Sequence, residues 1–182
     1  MNIMLDGMPS EYEGYLIRTD FRIGMQISEA LNDVNLADPE KLMTAMDLLY
    51  GRGVPGDIKV AEAGLHWFMC GGKEDEDENS SDSGIPTFDF EQDNRLVYSA
   101  FRARYGIDLT RERLHWFAFL AMLGDLGDCS LTNIMGIRST DLSKLSGDQQ
   151  RSYAALQQKY RIKPQMSDSE KAMLEEFESK IS

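Results

Sequence analysis

The stretch YGIDLTRERLHWFAFLAML, Tyr105 to Leu123, decides how the second half of this chain is read. Leu109, Leu114, Phe117, Leu120 and Ala121 recur at helical spacing after the Tyr105-Gly106 stop, with Asp108 or Thr110 as the cap. The spacing predicts a helix. Inside it sits the word Leu114-His115-Trp116-Phe117, which occurs once more as Leu65-His66-Trp67-Phe68. The two words hold both histidines and both tryptophans of the protein, so they are a binding site, a repeat or core. Each follows a Tyr-Gly stop, but at distances of fifteen and nine residues, which is weak support for a duplication. Core is the reading adopted for these aromatics, with each Trp filling the angle between helices.

Outward from that stretch the pattern stays helical. GMPSEYEGYLIRT, near the start, reads as a strand, a turn and a second strand over Tyr15–Thr19, punctuated by Pro9 and Gly14. Met25, Ile27, Leu31 and Val34 then follow at helical spacing. Asp38-Pro39-Glu40 reads as an N-cap with Pro in the first turn, opening a stripe of Leu42, Met43, Met46, Leu49 and Tyr50 that stops at Gly51. Asp57 caps a helix carrying Ala61, Leu65 and Phe68 towards Gly71-Gly72. Leu96, Val97, Ala100, Phe101 and Tyr105 share one face of another helix. SLTNIMGI reads as a turn, and Asp148–Tyr160 as a helix. Ser167 to Glu170 form a capping box that opens a tail helix with Met173, Leu174, Phe177 and Ile181 on one side.

The segment KEDEDENSSDSGIPT sets one Lys against six acids and reads as a solvated, mobile linker. The expected fold is therefore mainly α. One domain spans 1–162, with an N-terminal β-hairpin at 1–22, helical halves at 23–72 and 88–162 and the acidic linker 73–87 between them. A C-terminal amphipathic helix occupies 163–182.

Composition bounds the function. The chain has 182 residues, 42 % of them hydrophobic, and 19 basic against 31 acidic residues give a net charge of −12. Such a surface repels nucleic acid and anionic membranes, and no apolar run is long enough to span a bilayer. MNIMLDGMPSEYEG has neither the basic nor the apolar region of a signal peptide, and two cysteines make no disulfide framework, so a reducing cytoplasm is expected.

Catalytic and metal chemistry find little support. His66, Cys70, His115 and Cys129 are four zinc-type ligands, yet a structural zinc site normally offers two close pairs, and the second pair here is thirteen residues or more apart. No third group or oxyanion hole is evident to make Cys70 or Cys129 a nucleophile. Asp75, Asp77 and Asn79 alternate like the first ligands of a calcium loop, but Ser80 and Pro86 stand where that loop demands Gly and Glu. GRGVPGD lacks the Lys-Ser/Thr ending of a phosphate loop. No cofactor and no enzymatic activity are expected.

Several phrases, taken in order, resemble a family of proteins from long-tailed phages and prophages of Gram-positive bacteria, the gene-fifteen-product family. They are Thr19-Asp20-Phe21-Arg22, WFMCGG at 67–72, Asp89-Phe90-Glu91-Gln92-Asp93, Ala100-Phe101, Tyr105 to Leu109, Leu114-His115-Trp116, and IMGIRSTDLSKLSGDQQRSY from Ile134 to Tyr153. The likeness covers about residues 3–161. This chain has Trp116-Phe117 where the family pattern has a tryptophan pair, and it extends past Lys163.

Such genes usually lie between those of the major tail protein and the tape-measure protein. The resemblance therefore implies a non-enzymatic tail-assembly chaperone that coats the tape-measure protein before tail-tube subunits polymerise, acts in the host cytoplasm and leaves the mature virion. The tail-tube protein is a second implied partner, and self-association is open. The alternative is a structural tail-completion or connector component. Arg138, Asp141 and Lys144 cluster in a polar turn and are candidate partner-binding residues, as are Met173, Leu174 and Phe177 of the tail. Structural duty is the competing reading for Arg138 and Asp141, since Ser139 or Thr140 can cap the next turn and Asp141 suits a helix N-terminus. Asp20, Phe21 and Arg22 are expected to anchor the hairpin to the helices, and His66, Trp67, His115 and Trp116 to be structural.

Overall fold

The computed structural model describes residues 4–73 and 87–181. The fold is mainly α, with a two-stranded antiparallel hairpin before eight α-helices among the described residues. The hairpin pairs β1 (Glu11–Tyr12) with β2 (Tyr15–Leu16), and Tyr12 faces Tyr15 across a two-residue turn. Glu13 and Gly14 both take positive φ, 51° and 80°, the conformation whose twist matches the flanking strands. The second strand is shorter than its predicted run to Thr19, because Arg18 leaves the hairpin to donate its backbone N–H to the Leu49 carbonyl.

Helix α1 (Phe21–Asn32) is capped by Asp20, whose carboxylate accepts from the Arg22 backbone N–H. Its buried face is Phe21, Gly24, Ile27 and Ala30, so the expected stripe is corrected: Leu31 and Val34 are exposed. Helix α2 (Asp38–Tyr50) starts one residue before the proline. Ala37 takes the cap position, and its N–H is satisfied by the Glu40 carboxylate. Ala45, Met46, Leu49 and Tyr50 are buried while Met43 faces out. Helix α3 (Ile58–Met69) is capped by Asp57 as its sequence predicts.

Helix α4 (Asn94–Tyr105) buries Val97, Ala100 and Phe101 and stops at Gly106 in the left-handed conformation. Helix α5 (Trp116–Gly124) begins later than the periodicity suggests, and Ala121 is exposed. Residues 109–115 are not helical because their backbone groups bond elsewhere. The Leu114 carbonyl accepts from Phe21 N–H, and Arg22 donates to the carbonyls of Leu109 and Glu112. The SLTNIMGI segment is a second correction. It forms helix α6 (Ser130–Ser139), in which Thr132 bonds the Cys129 N–H at the entrance. A 3-10 turn at Leu142–Lys144 leads into α7 (Gly147–Tyr160), and the Ser167–Glu170 capping box opens α8 (Asp168–Ile181). The acidic segment and the calcium-like spacing within it, 74–86, lie outside the described residues.

One core joins both sides of that segment. Phe21, Ile27, Leu49 and Phe68 pack in the same cluster as Phe101, Trp116, Phe119 and Leu131. Rings stack through it: Phe119 lies 4.9 Å from Phe21, 5.0 Å from Phe101 and 5.6 Å from Trp116 between centroids. Offset aromatic contacts of this kind add to the burial term that stabilises the fold.

Candidate interaction surface

The two Leu-His-Trp-Phe words pack on each other but are built differently. His66 and Trp67 lie in the last turns of α3, whereas His115 is the N-cap of α5. Trp67 meets the edge of Phe117 at 5.2 Å and Phe68 stacks on Trp116 at 6.1 Å. The shared tetrapeptide therefore takes two different conformations, one wholly helical and one straddling a helix start. His115 accepts from the Phe117 N–H at Nδ1 (3.1 Å), and its Nε2 donates to the Pro9 carbonyl (2.8 Å), an assignment read from the geometry. It is His115 that ties the hairpin strand region to the helices. Asp20 caps α1 and holds Arg22, which in turn donates to the carbonyls of Leu109 and Glu112.

The polar residues of Asp89–Asp93 are anchors. Asp89 accepts from the Gln92 N–H, and Asp93 accepts from the Asp89 N–H. The Gln92 amide bonds both the N–H and the carbonyl of Lys163, clamping the chain as it leaves α7. Arg138 reaches into the same region. It is 8 % exposed and holds the Asp93 carboxylate with two nitrogens, at 2.6 and 2.9 Å. Its remaining hydrogen bonds go to the carbonyls of Thr87 and Tyr160. Arg138, a partner-binding candidate from sequence, is thus corrected to an internal position.

Asp141 and Lys144 remain at the surface. The Asp141 carboxylate accepts from the backbone N–H and hydroxyl of Ser143, and Lys144 stands 3.6 Å from it. The Ser143 bonds, with Lys144 nearby, hold that carboxyl below the usual aspartate range. The Glu170 carboxyl is likewise lowered, by the backbone and hydroxyl bonds of Ser167.

Helix α8 presents three large apolar side chains to solvent. Met173 is 72 %, Leu174 45 % and Phe177 61 % exposed. They lie within one turn of a common face. The helix meets the body at its start, where the Asp168 N–H donates to the Asn35 side chain at 2.9 Å just beyond α1.

Among the described residues no three His, Cys, Asp or Glu side chains are placed to hold a metal, and no helix is long and apolar enough to cross a membrane. His66 on α3 and Cys70 just past its end approach one another at 3.6 Å, while His115 serves as a cap and tie. The site residues missed by sequence reasoning are Asp93 and Gln92. Their signal was present in the Asp89–Asp93 phrase, but their partners Arg138 and Lys163 lie 45 and 71 residues away.

The described residues thus form an α-helical body tied together by the buried Arg138–Asp93 pair and followed by the amphipathic helix α8. Residues 4–162 match the family described as Bacteriophage Gp15 protein, and the chain belongs to that family. It is a phage structural or assembly-related protein. No curated protein and no solved structure matches it.

Proposed function

We propose that this protein is a non-enzymatic tail-assembly chaperone that holds the tape-measure protein in the host cytoplasm until the tail tube polymerises. The gene order implied by the family resemblance supports the role. The observation that carries it in this chain is the uncovered face of α8, Met173, Leu174 and Phe177. A tape-measure protein must present long amphipathic helices, which aggregate when bare. An exposed amphipathic helix can lay its apolar side against such a client as helices do in recognition grooves. Methionine in the contact suits a repeating client whose side chains vary from site to site. The net charge of −12 keeps a many-copy complex soluble.

Co-expression with the tape-measure protein, followed by affinity purification and light scattering, tests this. A soluble complex with several copies per client is expected, and a chain ending at Lys163 should fail to form it. Recovery of the protein in purified tails, with no association in the cytoplasm, would replace the reading by a tail-completion or connector component.

A further inference from the structure

At the other end of α1 the surface changes sign. The first turn of α1 and the 109–113 segment border an open groove of about 670 Å³. Arg18, Arg22, Arg111 and Arg113 line it together with Thr19 and Thr110. Four arginines converge here on a chain whose net charge is −12. The one acid in the lining, Asp20, is already paired with Arg22 at 3.1 Å. Next to the groove, Asp108 is held by the N–H and hydroxyl of Thr110 and stands 3.8 Å from Arg111, and Glu112 is exposed.

Two of the four cations have no side-chain acceptor among the described residues. Arg22 holds the carbonyls of Leu109 and Glu112, and Arg111 faces Asp108. Arg18 and Arg113 have no side-chain hydrogen bond or ion pair among the described residues. Arg18 is also positioned by packing, since a Cβ on Gly51 would fall 2.7 Å from its Nη2. A guanidinium without an acceptor among the described residues is suited to a carboxylate, which it takes through two parallel hydrogen bonds.

We propose that this groove is a docking surface for a short carboxylate-rich segment of a partner protein. The groove is larger than one small anion needs and lies in the size range of clefts that take extended ligands. A long polyanion is disfavoured because the acidic remainder of the chain repels it beyond the groove. A segment of a few Asp or Glu residues meets the arginines at short range and escapes that field through screening. The groove and the α8 face lie at opposite ends of α1, so this surface does not depend on the tape-measure reading.

The test uses the full chain and a fluorescently labelled octaglutamate peptide, followed by anisotropy. The wild type should bind, more weakly as salt rises. The double variant Arg18→Gln, Arg113→Gln should bind about tenfold more weakly. The control pair Arg104→Gln, Arg151→Gln, away from the groove, should bind as the wild type does. A chain ending at Lys163 should also bind normally, which separates this surface from the client face of α8. The proposal is overturned if the peptide fails to bind, if the control pair loses as much as the groove pair, or if inorganic phosphate or an oligothymidylate of equal charge displaces the peptide at equal concentration.

Discussion

The guanidinium of Arg138 and the carboxylate of Asp93 form a bidentate pair in the interior, with both side chains under one-tenth exposed. It joins α6 to the start of α4, and the same guanidinium caps the carbonyl of Tyr160 at the end of α7. Removing one partner leaves a buried, uncompensated charge. Asp93→Ala is therefore expected to destabilise the fold by about 3–5 kcal/mol. Replacing both by apolar residues, Asp93→Leu with Arg138→Met, should recover only part of that loss, because the Thr87 and Tyr160 carbonyls and the Asp89 N–H lose their partners. Urea unfolding followed by tryptophan fluorescence reads both. Equal stability of the wild type and Asp93→Ala would mean the pair is solvated and contributes nothing.

Gly24 and Trp116 meet where α1 packs on α5. A Cβ on Gly24 would overlap the Trp116 ring, which is fully buried. Gly24→Ala should cost about 1–3 kcal/mol as overpacking, despite the better helix propensity of alanine. Trp116→Phe makes room. Its indole N–H has no hydrogen-bond partner among the described residues, so losing that N–H removes a desolvation penalty and offsets part of the lost burial. In a double-mutant cycle the two changes should couple favourably, the pair being more stable than the sum of the singles implies. Strict additivity would show that α1 and α5 do not meet there.

These two contacts also mark what sequence could and could not reveal. Helices α2, α3 and α4 follow from apolar spacing and from stops at Gly51, Gly71 and Gly106, because their buried faces are made of residues that look buried. The face of α1 is hidden, since Gly24 is buried for its lack of a side chain while Leu31 and Val34 advertise a stripe that solvent receives. Residues 109–113 carry good helix formers, yet Arg22, 87 residues from Leu109, captures their carbonyls. No local pattern carries that competition. Helix α6 escapes notice because Ser, Thr, Asn and Gly dilute it and only Leu131 and Arg138 are buried. The Asp93 and Arg138 phrases are each visible as family words, but their pairing across 45 residues is a tertiary fact.

Tyr50 provides a pH test of the core. Its hydroxyl donates to the Ala61 carbonyl at 3.3 Å, and burial, with Tyr12 nearby, pushes its pKa from 10.0 up to about 12. The folded state thus prefers the protonated phenol. The stability this contributes is fully present below pH 10 and is lost as pH rises through about 12. Chemical unfolding at several pH values should show a loss across that window in the wild type that is smaller in Tyr50→Phe. Ultraviolet titration should place one tyrosine late. A Tyr50→Phe variant with the same alkaline loss would show that another group governs it.

At the tail, Ser167 and Glu170 bond reciprocally at the first turn of α8. Ser167→Ala should let the Glu170 carboxyl titrate nearer its ordinary range, because the Ser167 hydroxyl is one of the groups that lowers it. The folded-state pKa is depressed, so the support it gives the helix is present at neutral pH and is lost as pH falls through that lowered value. Carbon-detected NMR of the Glu170 side chain, with helix content over 168–181, reads both effects. An unchanged titration would mean the box does not form in solution.

The exposed residues of α8 separate folding from function. Met173→Ser with Phe177→Ser removes apolar surface that the body does not cover, so unfolding free energy should stay within about 0.5 kcal/mol of the wild type. If the face binds the tape-measure protein, the same variant should leave that client insoluble on co-expression while remaining soluble itself. A face that instead packs on the body would reveal itself through a large stability loss in the same variant. A variant that keeps both its stability and its client would remove α8 as the contact and direct attention to the helical body, where Asp141 and Lys144 stay exposed beside the buried Arg138.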